Sequence, residues 1–402
     1  MTKAQRIQAL LAQKEAIEAK LWENPTVCGV AVGYQYIAQQ RTKRLVISIH
    51  VTQKNDHIDP QWRIPSHING IKTDIIEATF STDSPHLPQS RSLNVQTDTA
   101  RYTTLKGGIA IGLQQAAVVQ QAGETIQVYE PGTLGAIVFD RSSHAPLLLS
   151  NYHVLAANGF KQGASVMQPS PADKGKIPDD KVATVHKAVC NQWVDCAVAH
   201  LHTQRQYESS IMDIGAINGA ASATVGVQVR KRGRTTHLSY GTIEQVGLSV
   251  KAQFMGKTLT FNNQLLVRVN PLKSSLFAAH GDSGAVVVDN QNNIVGLLSL
   301  IGKDGQTAII NPISAVMSAL DIDIVSHNPA LLLPNLPLKL YAKGQRVQQL
   351  QAALNKAGYS PLLSTDGVFG QKLLVAVKWF QAKVGLKPDG VVGQNTWDAL
   401  GL

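Results

Sequence analysis

Ala279-His280-Gly281-Asp282-Ser283-Gly284, taken with Ser150-Asn151-Tyr152-His153-Val154 upstream, is the sequence that decides how this chain folds. The first stretch sets a serine between two glycines. The second places a histidine directly after an apolar run. A serine hydroxyl is a weak nucleophile at neutral pH. It attacks a carbonyl only when a base takes its proton and fixed N–H groups receive the developing oxyanion. Gly281 has no side chain to obstruct its own N–H, so in a tight turn that group and the N–H of Ser283 can converge on one point. Gly-Asp-Ser-Gly alone recurs by chance, and its weight comes from its partners.

The third partner is Asp195, in Trp193-Val194-Asp195-Cys196-Ala197-Val198-Ala199. A carboxylate alone in an apolar strand needs a polar neighbour, and a histidine N–H supplies one. Asp173, Asp179 and Asp180 lie in a Pro/Lys/Gly-rich loop and read as solvated turn residues. The order His153, Asp195, Ser283 has separations of 42 and 88 residues.

These residues, in this order and spacing, resemble the trypsin-like, chymotrypsin-fold serine proteases of bacterial type. Further matches are Gly132-Thr133-Leu134-Gly135-Ala136, Gly233-Arg234-Thr235-Thr236 with Gly241, and Val295-Gly296-Leu297-Leu298-Ser299. The resemblance spans residues 106–325, where short apolar bursts divided by Gly, Asn and Asp fit an all-β domain. It implies two packed six-stranded barrels, with His153 and Asp195 from the first and Ser283 from the second. It also implies an acyl-enzyme mechanism at peptide bonds, with Gly281 and Ser283 forming the oxyanion hole and no metal or cofactor. The alternative is an inactive scaffold of the same fold that binds peptidoglycan or a protein.

The resemblance also places a substrate pocket. Phe277, six residues before the serine, falls at its base, and Ser299 matches a serine whose backbone holds the substrate strand. Leu300 and Ile301 follow it, and His280 falls at the rim. With no aspartate at the base, a basic side chain has no counter-ion there. The expectation is a small or medium apolar residue on the acyl side of the cut bond. Relatives that need activation free an amine to pair with the aspartate before the serine. Lys106-Gly107-Gly108-Ile109 does not fit such a start, so Asp282 is expected to find another partner.

The remaining segments read differently. Residues 1–23 carry an amphipathic helix with Ile7, Leu10, Leu11, Ile17 and Leu21 on one side. Residues 24–80 read as a small α/β module, with packing or regulation of the protease as its two candidate roles, and 81–105 as a linker. A second linker, 326–337, precedes an internal echo in 338–402. There Asp366-Gly367-Val368-Phe369-Gly370-Gln371 recurs as Asp389-Gly390-Val391-Val392-Gly393-Gln394. With Leu350-Gln351, Phe380-Gln381 and Thr396-Trp397, this resembles a three-helix peptidoglycan-binding module. It departs at Leu373 and Leu374, which would make that helix face more apolar and suit docking on a protein instead.

Composition narrows the partners. Lys and Arg number 37 against 27 Asp and Glu, a net charge of +10. The densest basic run, Arg230-Lys231-Arg232-Gly233-Arg234, has no interleaved aromatics, so nucleic acid is not expected. His200-Leu201-His202 puts two rings on one side of a strand without further ligands at metal-binding spacing. No cysteine lies near His153; Cys190 and Cys196 could close a hairpin loop, but a pair of buried free thiols is expected. Charges scattered from Lys3 to Glu23 leave no apolar signal core, and no run spans a membrane. These features point to the cytoplasm or to release without a standard leader, whereas the C-terminal module points to the cell wall or periplasm.

Overall fold

The computed structural model describes residues 1–37, 40–54, 59–82, 97–121, 124–157, 159, 161–202, 205–325, 337–342 and 345–400. Both expected linkers, 81–105 and 326–337, fall largely outside them. The chain opens with α1 (Lys3–Leu21), β1 (Val27–Ile37), β2 (Gln40–Val51), β3 (His67–Ile68), β4 (Ile71–Glu77) and β5 (Phe80–Ser81). Then come β6 (Thr104–Gly107), β7 (Ala110–Leu113), β8 (Ala117–Gln121), β9 (Glu124–Val128), β10 (Gly132–Thr133), β11 (Ala136–Asp140) and β12 (Pro146–Ser150). The short α2 (Tyr152–Leu155) leads to β13 (Ser165–Met167), β14 (Lys181–Cys190) and β15 (Asp195–Leu201).

These last strands make the first barrel. Its order is β7-β13-β14-β15-β12-β11. It closes because β10, which runs into β11, pairs back on β7, with Leu134 N donating to Ile109 O at 2.9 Å. Ala136–Phe139 and Leu147–Leu149 are buried along their whole length. That is why they read as continuous apolar runs and not as alternating ones: one face fills the barrel and the other is covered.

The second barrel follows β16 (Gln206–Ile211), β17 (Gly215–Ala216) and β18 (Gly219–Ala220). Its strands are β19 (Gln228–Gly233), β20 (His237–Phe254), β21 (Lys257–Val269), β22 (Val286–Val288), β23 (Asn293–Gly302) and β24 (Thr307–Pro312). The order β19-β22-β23-β24-β21-β20 returns to β19, so six strands close. The helix α3 (Ile313–Leu320) and β25 (Ile322–Asp323) complete the region, β25 pairing with β11. This is the chymotrypsin-like double barrel.

The N-terminal strands extend the sheet of the second barrel. β1 pairs with both β2 and β20, with Gly29 opposite Val250 and Gly33 opposite Gln245. Val27–Val32 is buried on both faces. Val30 and Val32 meet Ile7, Leu10, Ile17 and Leu21 of α1, while Ala31 faces Phe80, Phe254 and Leu300. The helix starts at a capping box formed by Thr2 and Gln5. Leu11, expected on the buried side, is only partly buried. Lys14 is buried in the stripe instead, with its ammonium on Glu18 Oε2 and Ser249 Oγ at 2.8 and 2.9 Å.

The C-terminal helices form a separate small core. α4 (Gln345–Lys356), α5 (Gln371–Lys383) and α6 (Gln394–Ala399) bury Val347, Leu350, Leu354, Phe369, Phe380 and Trp397. Each Asp-Gly turn is clasped by a glutamine. Gln351 Oε1 accepts from Gly367 N and its amide donates to Asp366 Oδ1, and Gln381 repeats this with Gly390 N and Asp389 Oδ1. Leu373 and Leu374 correct an expectation. Leu373 is buried in the core and Leu374 packs against it, so these leucines do not make an exposed apolar face. No helix among the described residues is long and apolar enough to cross a membrane.

Candidate active site

Asp195 opens β15 and is fully buried. Its Oδ2 lies 2.7 Å from His153 Nδ1, and its Oδ1 accepts the His153 backbone N–H at 3.1 Å. A carboxylate accepts only, so Nδ1 carries a proton, and in the neutral ring Nε2 keeps a lone pair. The ring is placed by α2, a single turn that follows β12. On its other side it packs edge-on against Phe254, with centroids 5.6 Å apart.

Three side chains from the second barrel hold the acid in place. Ser299 Oγ donates to Asp195 Oδ2 at 2.6 Å, and Asn311 Oδ1 accepts from Asp195 N at 2.9 Å. Gln264 Oε1 in turn accepts from Asn311 Nδ2 at 2.6 Å. From the first barrel, Asn151 Nδ2 donates to Asp195 O at 2.7 Å. Asn311, Gln264 and Asn151 escaped the sequence reading. Only Asn151 carried a signal, a buried polar residue beside the histidine.

His153 and Ser283 line one cleft, together with Gly281, His280, Met255 and Thr82. Gly281 has φ +96, and a side chain there would meet Thr235 Oγ1 at 2.6 Å, so only glycine fits. Among the described residues neither the Gly281 nor the Ser283 N–H has an intramolecular acceptor. Burial pushes the His280 imidazole below its ordinary value.

The serine turn sits in a cradle made by Gly233-Arg234-Thr235-Thr236. Thr235 N and Thr236 N donate to Asp282 Oδ1 at 2.7 and 3.1 Å, and Thr236 Oγ1 to Oδ2 at 2.7 Å. Lys231 Nζ lies 3.0 Å from Asp282 Oδ2, both side chains wholly buried. Burial opposes the charge on Asp282, but Lys231, Thr236 and backbone N–H groups outweigh it and hold the carboxyl below its usual range. Lys231 is thus the partner expected for Asp282.

The basic run 230–234 is spent inside the molecule. Arg230 donates to Asp289 O, Arg232 pairs with Asp98 and Asp213, and Arg234 pairs with Asp173. This corrects the loop reading of the acids: Asp173 and Asp180 are buried, and Asp180 pairs with Arg101 at 2.7 Å. Asp179 is exposed, as expected. The three cysteines are free thiols.

Of the residues expected to form the substrate pocket, His280 lines the cleft. Phe277 is fully buried, its carbonyl taken by Ser239 Oγ at 2.7 Å. Leu300 faces the core around Phe254, and Ile301 packs at the edge of the core that holds Phe277. No cluster of three His, Cys, Asp or Glu suited to a metal occurs among the described residues. His200 lies against His186, with centroids 4.1 Å apart and the rings tilted by 45°.

Comparison with known proteins adds to this. Residues 343–400 match the family model described as "Putative peptidoglycan binding domain". The "Uncharacterized protein in bpoA1 3'region" of Kitasatospora aureofaciens is 48% identical over 58 residues, covering 14% of this chain and 48% of that protein. A "Probable N-acetylmuramoyl-L-alanine amidase" of Bacillus licheniformis is 41% identical over 64 residues, covering 16% of this chain and 18% of that protein. The chain therefore spans less than half the length of these curated relatives. Among solved structures, Thermobifida fusca Protease A is 16% identical, with 56% of this chain covering 99% of it at a TM-score of 0.40.

Proposed function

We propose that this protein is a serine endopeptidase with a wall-binding module at its C-terminal end. The observation that carries the reading is the 2.7 Å pair of His153 Nδ1 and Asp195 Oδ2, at a cleft that Ser283 also lines. Ser283 Oγ attacks the peptide carbonyl as His153 Nε2 takes its proton. The N–H groups of Gly281 and Ser283 stabilise the oxyanion. The imidazolium, steadied by Asp195, then protonates the leaving amine, and water hydrolyses the acyl-enzyme. The absence of an acid at position 277 supports a small or medium apolar residue on the acyl side, although Phe277 and Ile301 themselves pack in the core and do not line the cleft. The match of residues 343–400 supports delivery to peptidoglycan at the cell wall.

A fluorophosphonate probe tests the nucleophile. Labelling is expected at Ser283, with complete loss in Ser283→Ala and a loss of at least about a thousandfold in His153→Ala. An unlabelled, well-folded wild type would instead support a binding scaffold. A peptide-library cleavage profile tests specificity, and strong preference for Arg or Lys would overturn the pocket assignment.

A further inference from the structure

The edge of β23 beside the serine turn is already occupied, and its occupant is this chain. β22 covers that edge only from Ile294 to Leu297. Leu298 then exchanges backbone hydrogen bonds with the serine turn, Leu298 N to Ala285 O at 2.9 Å and Gly284 N to Leu298 O at 3.1 Å. The same edge runs on from Ser299 to Gly302. Along it β5 pairs antiparallel, with Ile301 opposite Ser81 and Gly302 opposite Phe80. Direction matters here. β23 runs away from the serine turn, so β5 runs toward it, and the next residue, Thr82, lines the cleft with His153, Gly281 and Ser283.

The strand is held from its other side as well. Ser81 lies in parallel pairing beside Gln253 of β20. Thr82 N donates to Gln253 O at 3.0 Å, and Thr82 Oγ1 accepts from Met255 N at 3.1 Å. Phe80 is buried among Phe254, Phe261 and Leu300, with the His50 ring edge-on at 5.8 Å. An extended peptide is commonly recognised by adding a strand to such an edge, where main-chain bonds supply affinity and side-chain pockets supply selectivity.

We propose that Phe80–Thr82 is a built-in competitor for the peptide-binding edge of β23, so that the N-terminal strands keep the cleft occluded and a substrate must displace β5. The inference rests on Ser283 being a peptidase nucleophile. A tethered strand competes at an effective concentration of about millimolar. A cleft open for only a fraction of the time raises the apparent dissociation constant of an incoming peptide by the inverse of that fraction. The barrier therefore falls on KM and not on the chemical step.

Ser81→Pro in the full chain tests this, because proline has no N–H to give and disfavours a strand with neighbours on both sides. For an extended peptide substrate, KM is expected to fall at least about tenfold with kcat changed less than about twofold. Ser81→Ala should behave as wild type. Phe80→Ala, which removes the anchoring ring and keeps every backbone group, should also lower KM, and it decides the matter if the proline variant does not fold. An unchanged KM in a folded variant whose Ser283 takes the fluorophosphonate probe overturns the occlusion and leaves the peptidase standing. Failure of the probe to label Ser283 in both wild type and variants overturns the peptidase reading, and the occlusion with it.

Discussion

Asp195 receives three hydrogen bonds, from His153 N, Ser299 Oγ and Asn151 Nδ2, and donates one to Asn311 Oδ1, before its role at the imidazole is counted. Ser299 is the most informative of these, because its hydroxyl reaches the same Oδ2 that faces His153 Nδ1. Hydrogen bonds to a charged group contribute about 1.5–3 kcal/mol. Ser299→Ala is therefore expected to lower kcat roughly ten- to a hundred-and-fiftyfold and leave KM within about twofold, since Ser299 acts through Asp195 as a positioning residue. Steady-state kinetics check this, and a pure KM effect would contradict it. Lys231 gives a second test. Lys231→Met strands the buried Asp282 carboxylate, at a cost of about 3–5 kcal/mol. The folded pKa of Asp282 is depressed in the wild type, so its contribution is present above the unfolded value and lost as pH falls through the folded one. The deficit of the variant, measured by denaturant unfolding, should therefore be full near pH 7 and shrink in acid. A deficit that stays constant with pH would show that packing, not charge, sets the loss.

Elements explain which parts of the fold could be read in advance. The residues that meet at the cleft, His153 on Asp195 with Gly281 and Ser283 beside it, were legible because each carries local chemistry. The strands of both barrels were legible because runs such as Leu147–Leu149 and Val286–Val288 leave no alternative to burial. The partners of those strands were not. Nothing local in Val27–Ile37 announces pairing with β20, and nothing in Phe80–Ser81 announces a place on β23, because sheet neighbours are fixed by contacts remote in sequence. Asp173 and Asp180 were misread for the same reason, since their partners Arg234 and Arg101 lie 61 and 79 residues away. A side-chain contact that reaches across β1, from β2 to β20, carries its own titration. His50 of β2 meets Gln245 Oε1 of β20 at 2.7 Å, with Gly29 of β1, Phe80 of β5 and the charge of Arg268 facing it. Burial pushes this imidazole down to about 4. The folded state then binds fewer protons than the unfolded one, so stability is full above about 6.5 and falls as pH drops toward 4, by roughly 3 kcal/mol. His50→Gln should flatten that slope in urea midpoints measured between pH 4 and 7. An unaltered slope would assign the titration to another group.

For the whole molecule, contacts cluster into two units, one made of residues 1–102, 106–201 and 210–324, the other containing 325–402. The C-terminal helices bury their own core, including Leu350, Phe369, Phe380 and Trp397, and both Asp-Gly turns are closed by internal glutamines. Residues 338–402 therefore have what a small helical unit needs to hold its shape. Two physical routes could take the protein to a wall polymer. One is recognition by this module. The other is diffuse attraction of a chain with net charge +10 to an anionic surface. Salt separates them, because exposed charges more than about 8–10 Å apart are screened at physiological ionic strength and far more strongly at 1 M. Residues 338–402, produced alone and mixed with purified sacculi, are expected to sediment with them at 0.15 M and at 1 M salt. The full chain should sediment equally, and a chain ending at residue 325 should stay in solution at 1 M salt. Sedimentation of the shortened chain at low salt alone would identify charge as the only attraction. Retention of the isolated module in the supernatant, with its helical signal intact, would remove peptidoglycan as its ligand and leave a protein as the partner of those helices.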